Sequence, residues 1–385
     1  MFQLLLHVQQ LTVLLRLLCR QPAGISQWVW QLCAQRLPTL ALLGLTLVGC
    51  TPADPQQAVS SALVDGVLLP IYSTWSEADR QLAASGQAFC AGQQNLADAR
   101  QAFASAQSTW AALQPALLGP LAEGNRAWQV QFWPDKKNLV ARQVEALLNS
   151  KPELTPADLD KSSVVVQGLT AYEYLLFDPA IDLNVAEQKA RYCPLIVAIG
   201  EHQQVLAADV LSQWQAQDGM AAQLTSFPNT RYAEAAEAVA DILRTQVSAI
   251  DGLKKKLGTP LGRQSKGQPQ PYQAEAWRSK ASLANLAASL ASAERIWLGA
   301  EQDGIQALLG SAQTGLKQRI DAAYSDTRQR LAAAQRPLGE LLGDEAGRAE
   351  LNALYDSLDA LHRLHEAELA KVLGIQLGFN AHDGD

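Results

Sequence analysis

Three observations predict an all-α protein. Apolar residues recur at three- and four-residue spacing, both in 58–70 and in 356–373, where Leu358, Leu361, Leu364, Leu369 and Val372 share one face. Ala, Leu, Gln and Glu, all strong helix formers, fill most other segments. Alternating Val/Ile/Thr runs are nearly absent. The best strand candidate, Ser163-Val164-Val165-Val166-Gln167, runs straight into a helical pattern and reads equally well as a helix start.

The elements follow in chain order. Residues 1–49 read as a leader. Its apolar stretch 37–48 is preceded by Arg36, has signal-peptide length and is too short to span a bilayer comfortably. It runs into Leu47-Val48-Gly49-Cys50, which resembles a bacterial lipobox, so Cys50 is the expected site of acylation and the first residue of the mature chain. Thr51, not Asp, follows that cysteine; by analogy with sorting in Gram-negative bacteria, this points to the outer membrane, facing the periplasm. A second apolar run, 11–18, is interrupted by Arg16 and reads as part of a long n-region or of an over-long start.

Residues 50–57 form a linker, and the helices begin at 58. Thr155-Pro156-Ala157-Asp158 offers an N-cap followed by proline at the first helical position. Ser226-Phe227-Pro228-Asn229-Thr230 interrupts the chain near its middle, and six Gly and Pro residues make 257–272 the largest irregular stretch. These breaks suit two helical bundles, 58–222 and 223–385, tandem and four-helix-like, packed into one elongated unit. Cys90 and Cys193 are the only mature cysteines besides Cys50. In an exported chain they are expected to pair, closing a long loop.

Composition excludes several functions. The 385 residues carry a formal charge of −7; the leader holds three arginines and no acid, which leaves −10 on the remainder. So acidic a chain lacks the Lys/Arg footprint that nucleic acid demands. Neither a zincin motif, a nucleophile elbow, a P-loop nor a dinucleotide fingerprint occurs, and no C-x-x-C.

Four segments can carry chemistry. In Gly168-Leu169-Thr170-Ala171-Tyr172-Glu173-Tyr174-Leu175-Leu176-Phe177 a carboxylate sits in an apolar helical run, where it must pair, bind a cation or protonate. Thr170 shares its face, and Gly168 permits close approach of a backbone or ligand. Trp133-Pro134-Asp135 crowds an aromatic, a proline and an acid at a helix boundary; Asp135 reads as a ligand or as an acid steadying the next helix's first turn. Trp277-Arg278-Ser279 follows the Gly/Pro stretch, and Arg278 is the expected partner for Glu173. Finally, His362, His365 and Glu368 have the i, i+3 spacing with which one helix can offer metal ligands.

Three of these segments, Phe132-Trp133-Pro134-Asp135, the run from Gly168 to Leu176 and Trp277-Arg278-Ser279, together with the terminal Leu377-Gly378-Phe379-Asn380-Ala381-His382-Asp383-Gly384-Asp385, resemble the imelysin family over about 58–385, and in the same order. The resemblance implies an exported protein of two helical bundles linked to bacterial iron uptake. It also implies a cleft drawing on Trp133, Asp135, Gly168, Thr170, Glu173, Trp277, Arg278 and Ser279, with iron or another divalent metal as a candidate cofactor and iron-uptake components as candidate partners. The family signature Gly-x-His-x-x-Glu is matched at Gly168 and Glu173, but Thr170 replaces the histidine. A threonine hydroxyl is neither the transition-metal ligand nor the general base that imidazole would be. The expectation is therefore a lipid-anchored binding protein without catalysis. The rivals are a metal-dependent peptidase that combines Glu173 with His365 and Glu368, and an interaction scaffold without a small ligand.

Overall fold

A computed structural model describes residues 54–151 and 153–377; the leader, Cys50 and the terminal motif beyond Leu377 lie outside the described residues. Within them every regular element is helical. Helix α1 (Pro55–Leu63) starts where the Asp54 carboxylate accepts from Gln56 N, with Pro55 at the first position. A π-helical turn (Val64–Leu68) carries it into α2 (Leu69–Cys90). Such a turn changes the backbone pairing, and the Gly66 carbonyl accepts from Arg295 Nη2 at 3.1 Å. Helix α3 (Leu96–Leu113) opens with a reciprocal Asn95–Asp98 capping box.

Short helices follow: α4 (Arg126–Val130), α5 (Leu139–Ser150) and α6 (Pro156–Asp160), the last capped by Thr155 as its sequence predicts. Val164–Val166 is one 3₁₀ turn leading into α7 (Leu169–Phe177), so the strand-like run is a helix start. The long α8 (Ala186–Gln215) and the short α9 (Met220–Thr225) complete this half. Helix α2 packs most extensively on α8 and α3, and α7 fills in against α3, α5 and α8. The expected Cys90–Cys193 disulfide joins the end of α2 to α8, with the Cα atoms 5.6 Å apart. Across a separation of 103 residues such a link is worth about 4–5 kcal/mol in the chain-entropy account.

The second half is a ring of four helices: α10 (Ala235–Gly258), α11 (Ser282–Leu298), α12 (Thr314–Ala333) and, after the single turn α13 (Leu338–Leu341), α14 (Glu345–Arg363). Each of the four packs on the next, and α14 returns to α10. A second π-helical turn (Leu364–Leu369) extends α14 into α15 (Ala370–Val372). The two bundles share one apolar core: α1 lies on α10, and α3 lies on α11. Trp75, Trp214 and Trp297 are wholly buried in it. Truncating such a side chain to alanine typically costs about 3–5 kcal/mol. Among the described residues no helix is long and apolar enough to cross a membrane.

Candidate functional site

The site forms where the start of α7 meets the irregular segment between α10 and α11. Glycine is required at position 168 because the backbone of 129–130 crosses there: a Cβ would stand 2.3 Å from the Val130 carbonyl oxygen. Gln203 Nε2 fastens this crossing by donating to the Gln129 and Gln167 carbonyls at 2.9 and 3.0 Å. Thr170 Oγ1 donates to the Phe132 carbonyl at 2.8 Å, so the hydroxyl in the histidine's place stitches backbone. Trp133 Nε1 reaches across to the Gln273 carbonyl at 3.0 Å.

Glu173 is 1% exposed. Its Oε1 accepts twice from one residue, from Ser279 N at 2.8 Å and from Ser279 Oγ at 2.7 Å. Oε2 receives no hydrogen bond among the described residues. Burial pushes the Glu173 carboxyl above its ordinary range; the two Ser279 bonds and the nearby Arg278 charge oppose that rise, and Glu275 adds to it.

The expected Glu173–Arg278 pair is not formed. Arg278 Nε donates to Asp178 Oδ2 at 2.8 Å, Nη2 donates to Asn138 Oδ1 at 2.8 Å, and Nη1 stands 4.0 Å from Asp135. The guanidinium lies 4.4 Å from the Trp277 ring centre and 5.2 Å from that of Tyr174. The physical reason is local. Asp178, at the end of α7, presents a second carboxylate to the segment, while the Ser279 backbone and hydroxyl supply Glu173 with two donors and no charge. Asp135 Oδ1 also accepts from Val140 N at 3.1 Å, steadying the first turn of α5. Beside this cluster Lys256 Nζ donates to Glu275 Oε1 at 2.5 Å and to Gln114 Oε1 at 2.7 Å.

Backbone strain gathers in the same place. Lys137, Asn138, Ala276 and Lys280 have positive φ, four of the six such non-glycine residues among those described. Left-handed backbone in residues with a Cβ costs energy and marks segments held by their surroundings. Here these residues bracket the segments that present Asn138, Arg278 and Ser279.

An open crevice of about 340 Å³ adjoins Ser279, between α3 and the end of α7. Arg100, Gln107 and Phe177 line it; Phe177 closes the apolar run around Glu173, whereas the sequence singled out neither Arg100 nor Gln107. Asp178 and Asn138 were missed as well. A usable signal existed for Asp178, since an acid at the end of a helix opposes the dipole and implies a cationic partner.

His365 and Glu368 do not converge. His365 is wholly buried, with its ring edge-on to Trp297 and Tyr324. Glu368 pairs with Arg319 at the surface. The π-helical turn through these residues alters the register in which i and i+3 share a face. His362 is buried too, 3.6 Å from Glu366. Among the described residues no three His, Cys, Asp or Glu side chains are placed to hold a metal ion. At the Glu173 site itself, the Thr170 hydroxyl is turned to a carbonyl, one Glu173 oxygen is taken by Ser279, and Asp178 is committed to Arg278. This donor set does not fit a resident transition metal.

The family model described as Imelysin matches residues 68–365. The solved structure of an imelysin-like protein from Psychrobacter arcticum 273-4 superposes with a TM-score of 0.72 at 22% identity, covering 84% of this chain and 97% of that one. A second, from Parabacteroides distasonis ATCC 8503, is named provisionally as an iron-regulated protein A precursor. It gives a TM-score of 0.68 at 17% identity, covering 85% of this chain and 97% of that one. At these identities the likeness carries the fold. No functionally curated protein matches the sequence.

Proposed function

Because the chain belongs to the imelysin family, we propose that it is a binding protein of bacterial iron acquisition that performs no catalysis, exported and held at the outer membrane by a lipid on Cys50. The observation that carries this reading is the Thr170 hydroxyl donating to the Phe132 carbonyl at 2.8 Å, beside a Glu173 whose Oε1 is bonded twice by Ser279. A hydroxyl held that way takes no proton from water, and the site lacks the imidazole that would make Glu173 part of a metal-assisted base. What remains is a shielded acceptor, Glu173 Oε2, between two bundles and next to an open crevice. That arrangement suits holding a small molecule or a partner's side chain. The iron-related name of the second solved structure supports the physiological setting, and the lipobox-like tetrapeptide supports the anchor.

The test has two arms. Purified protein, with and without added Fe²⁺ or Zn²⁺, is incubated with a peptide mixture, and no cleavage is expected. In the host bacterium, deletion of the gene is expected to slow growth under iron chelation; wild type should restore growth and Glu173→Gln should not. Glutamine keeps an acceptor for Ser279 and turns the other carboxylate oxygen into an amide donor, so the variant is expected to fold while that position changes character. Cleavage abolished by Glu173→Gln, or growth indifferent to the deletion, overturns the reading.

A further inference from the structure

The crevice beside Ser279 contains an unbalanced cation. Arg100 donates through Nε and Nη2 to the same acceptor, the Leu176 carbonyl, at 2.9 and 2.7 Å. Its guanidinium lies 4.9 Å from the Phe177 ring centre. Yet no Asp or Glu oxygen comes within ion-pair distance of it among the described residues, and Nη1 receives no partner there. Arg80, Arg319 and Arg328 have carboxylates of their own, whereas Arg244, Arg295 and Arg348, like Arg100, donate to backbone carbonyls; of these four, Arg100 is the one that lines this crevice. A guanidinium fixed by a carbonyl and a ring, with one edge free, is preorganised for an oxyanion.

Two further observations narrow the class. Gln107 is 1% exposed and its Oε1 is buried without a hydrogen-bond partner, although the residue lines the crevice. A buried carbonyl oxygen left unpaired is costly, so an occupant that brings a donor is favoured. The Ser279 hydroxyl, already donating to Glu173, still has acceptor capacity. Leu96, Ala97 and Ala104 supply apolar wall.

We infer that this crevice binds a small hydroxycarboxylate, its carboxylate on Arg100 and its hydroxyl donating to Gln107 or Ser279. The inference rests on the binding-protein reading and adds a ligand class to it. At about 340 Å³ the space suits a molecule of a dozen or so heavy atoms, near the lower end of ligand sites.

Calorimetric titration of the full chain at neutral pH tests this with citrate as the probe and tricarballylate, which lacks the hydroxyl, as its control. Citrate is expected to bind with a measurable Kd, tricarballylate at least tenfold more weakly. Arg100→Gln is expected to weaken citrate at least tenfold. Because Arg100 also supports the Leu176 carbonyl, Gln101→Glu serves as a second variant: it leaves that bond intact, sets a like charge in the crevice wall, and should weaken citrate as well. No citrate binding at millimolar concentration, equal binding of the two acids, or unchanged binding in both variants overturns the assignment. If the growth defect of the deletion strain stands while citrate fails to bind, only the ligand class is lost. If growth is indifferent, the broader reading falls first.

Discussion

Replacing Arg278 by methionine is the sharpest probe of how the two bundles are locked. The substitution keeps much of the apolar stem against Trp277 and Tyr174 but deletes the charge. It strands the Asp178 carboxylate, bonded at 2.8 Å, and the Asn138 amide oxygen, also at 2.8 Å. The Arg278 side chain is only 1% exposed and that of Asp178 13%. Breaking a buried pair by removing one partner typically costs about 3–5 kcal/mol, mostly because the other charge is left uncompensated. Here the lower end applies: Asp178 keeps a bond from Ala180 N at 3.1 Å and has some contact with solvent. The expected loss is therefore about 3 kcal/mol. It is to be read as a lower urea midpoint with an unchanged slope, which distinguishes lost stability from a changed native surface. The double variant Arg278→Met/Asp178→Asn removes both charges and should recover more than half. A single-variant loss under about 1 kcal/mol would show that solvent or Asn138 already satisfies Asp178. A double variant no better than the single one would place the cost in packing instead of charge.

Two other outcomes are expected. His365 is buried among Tyr324, Trp297 and the Leu361 carbonyl, and burial lowers its pKa from 6.5 to about 4. The unfolded chain therefore binds a proton that the native chain refuses. This contribution to stability is fully present above pH 6.5 and is lost as pH falls toward 4, roughly 3 kcal/mol in all; the margin of wild type over His365→Gln, measured by urea unfolding at pH 7 and pH 4, should shrink by that amount, and a constant margin refutes it. At Cys50, metabolic labelling with an alkyne fatty acid should tag wild type, and Cys50→Ala should release the protein from membranes without changing its circular dichroism; untagged wild type would sink the lipid-anchor proposal.

The legible parts of the sequence are those where local chemistry decides. Thr155, with its proline and Asp158, caps α6 because its side chain needs only the next three residues. The all-α reading follows from the three- and four-residue apolar spacing and the wealth of strong helix formers, and the disulfide from an even pair of cysteines in a chain expected to be exported. Glu173 was identifiable as buried because an apolar run on both sides leaves a carboxylate no route to water. Its partner was not identifiable in the same way. Arg278 and Ser279 are neighbours in sequence, and which of them meets Glu173 depends on Ala276 and Lys280 adopting positive φ and on Asp178 arriving from the end of α7. Both are tertiary facts. Charge complementarity alone favoured the arginine; geometry favoured two neutral donors on one residue, with the arginine serving a second acid that spacing did not flag. The consequence is chemical. A Glu173 neutralised by a guanidinium would be an ordinary structural ion pair, whereas a Glu173 held through one oxygen by Ser279 keeps a free oxygen in a dielectric low enough to make any ligand's hydrogen bond count.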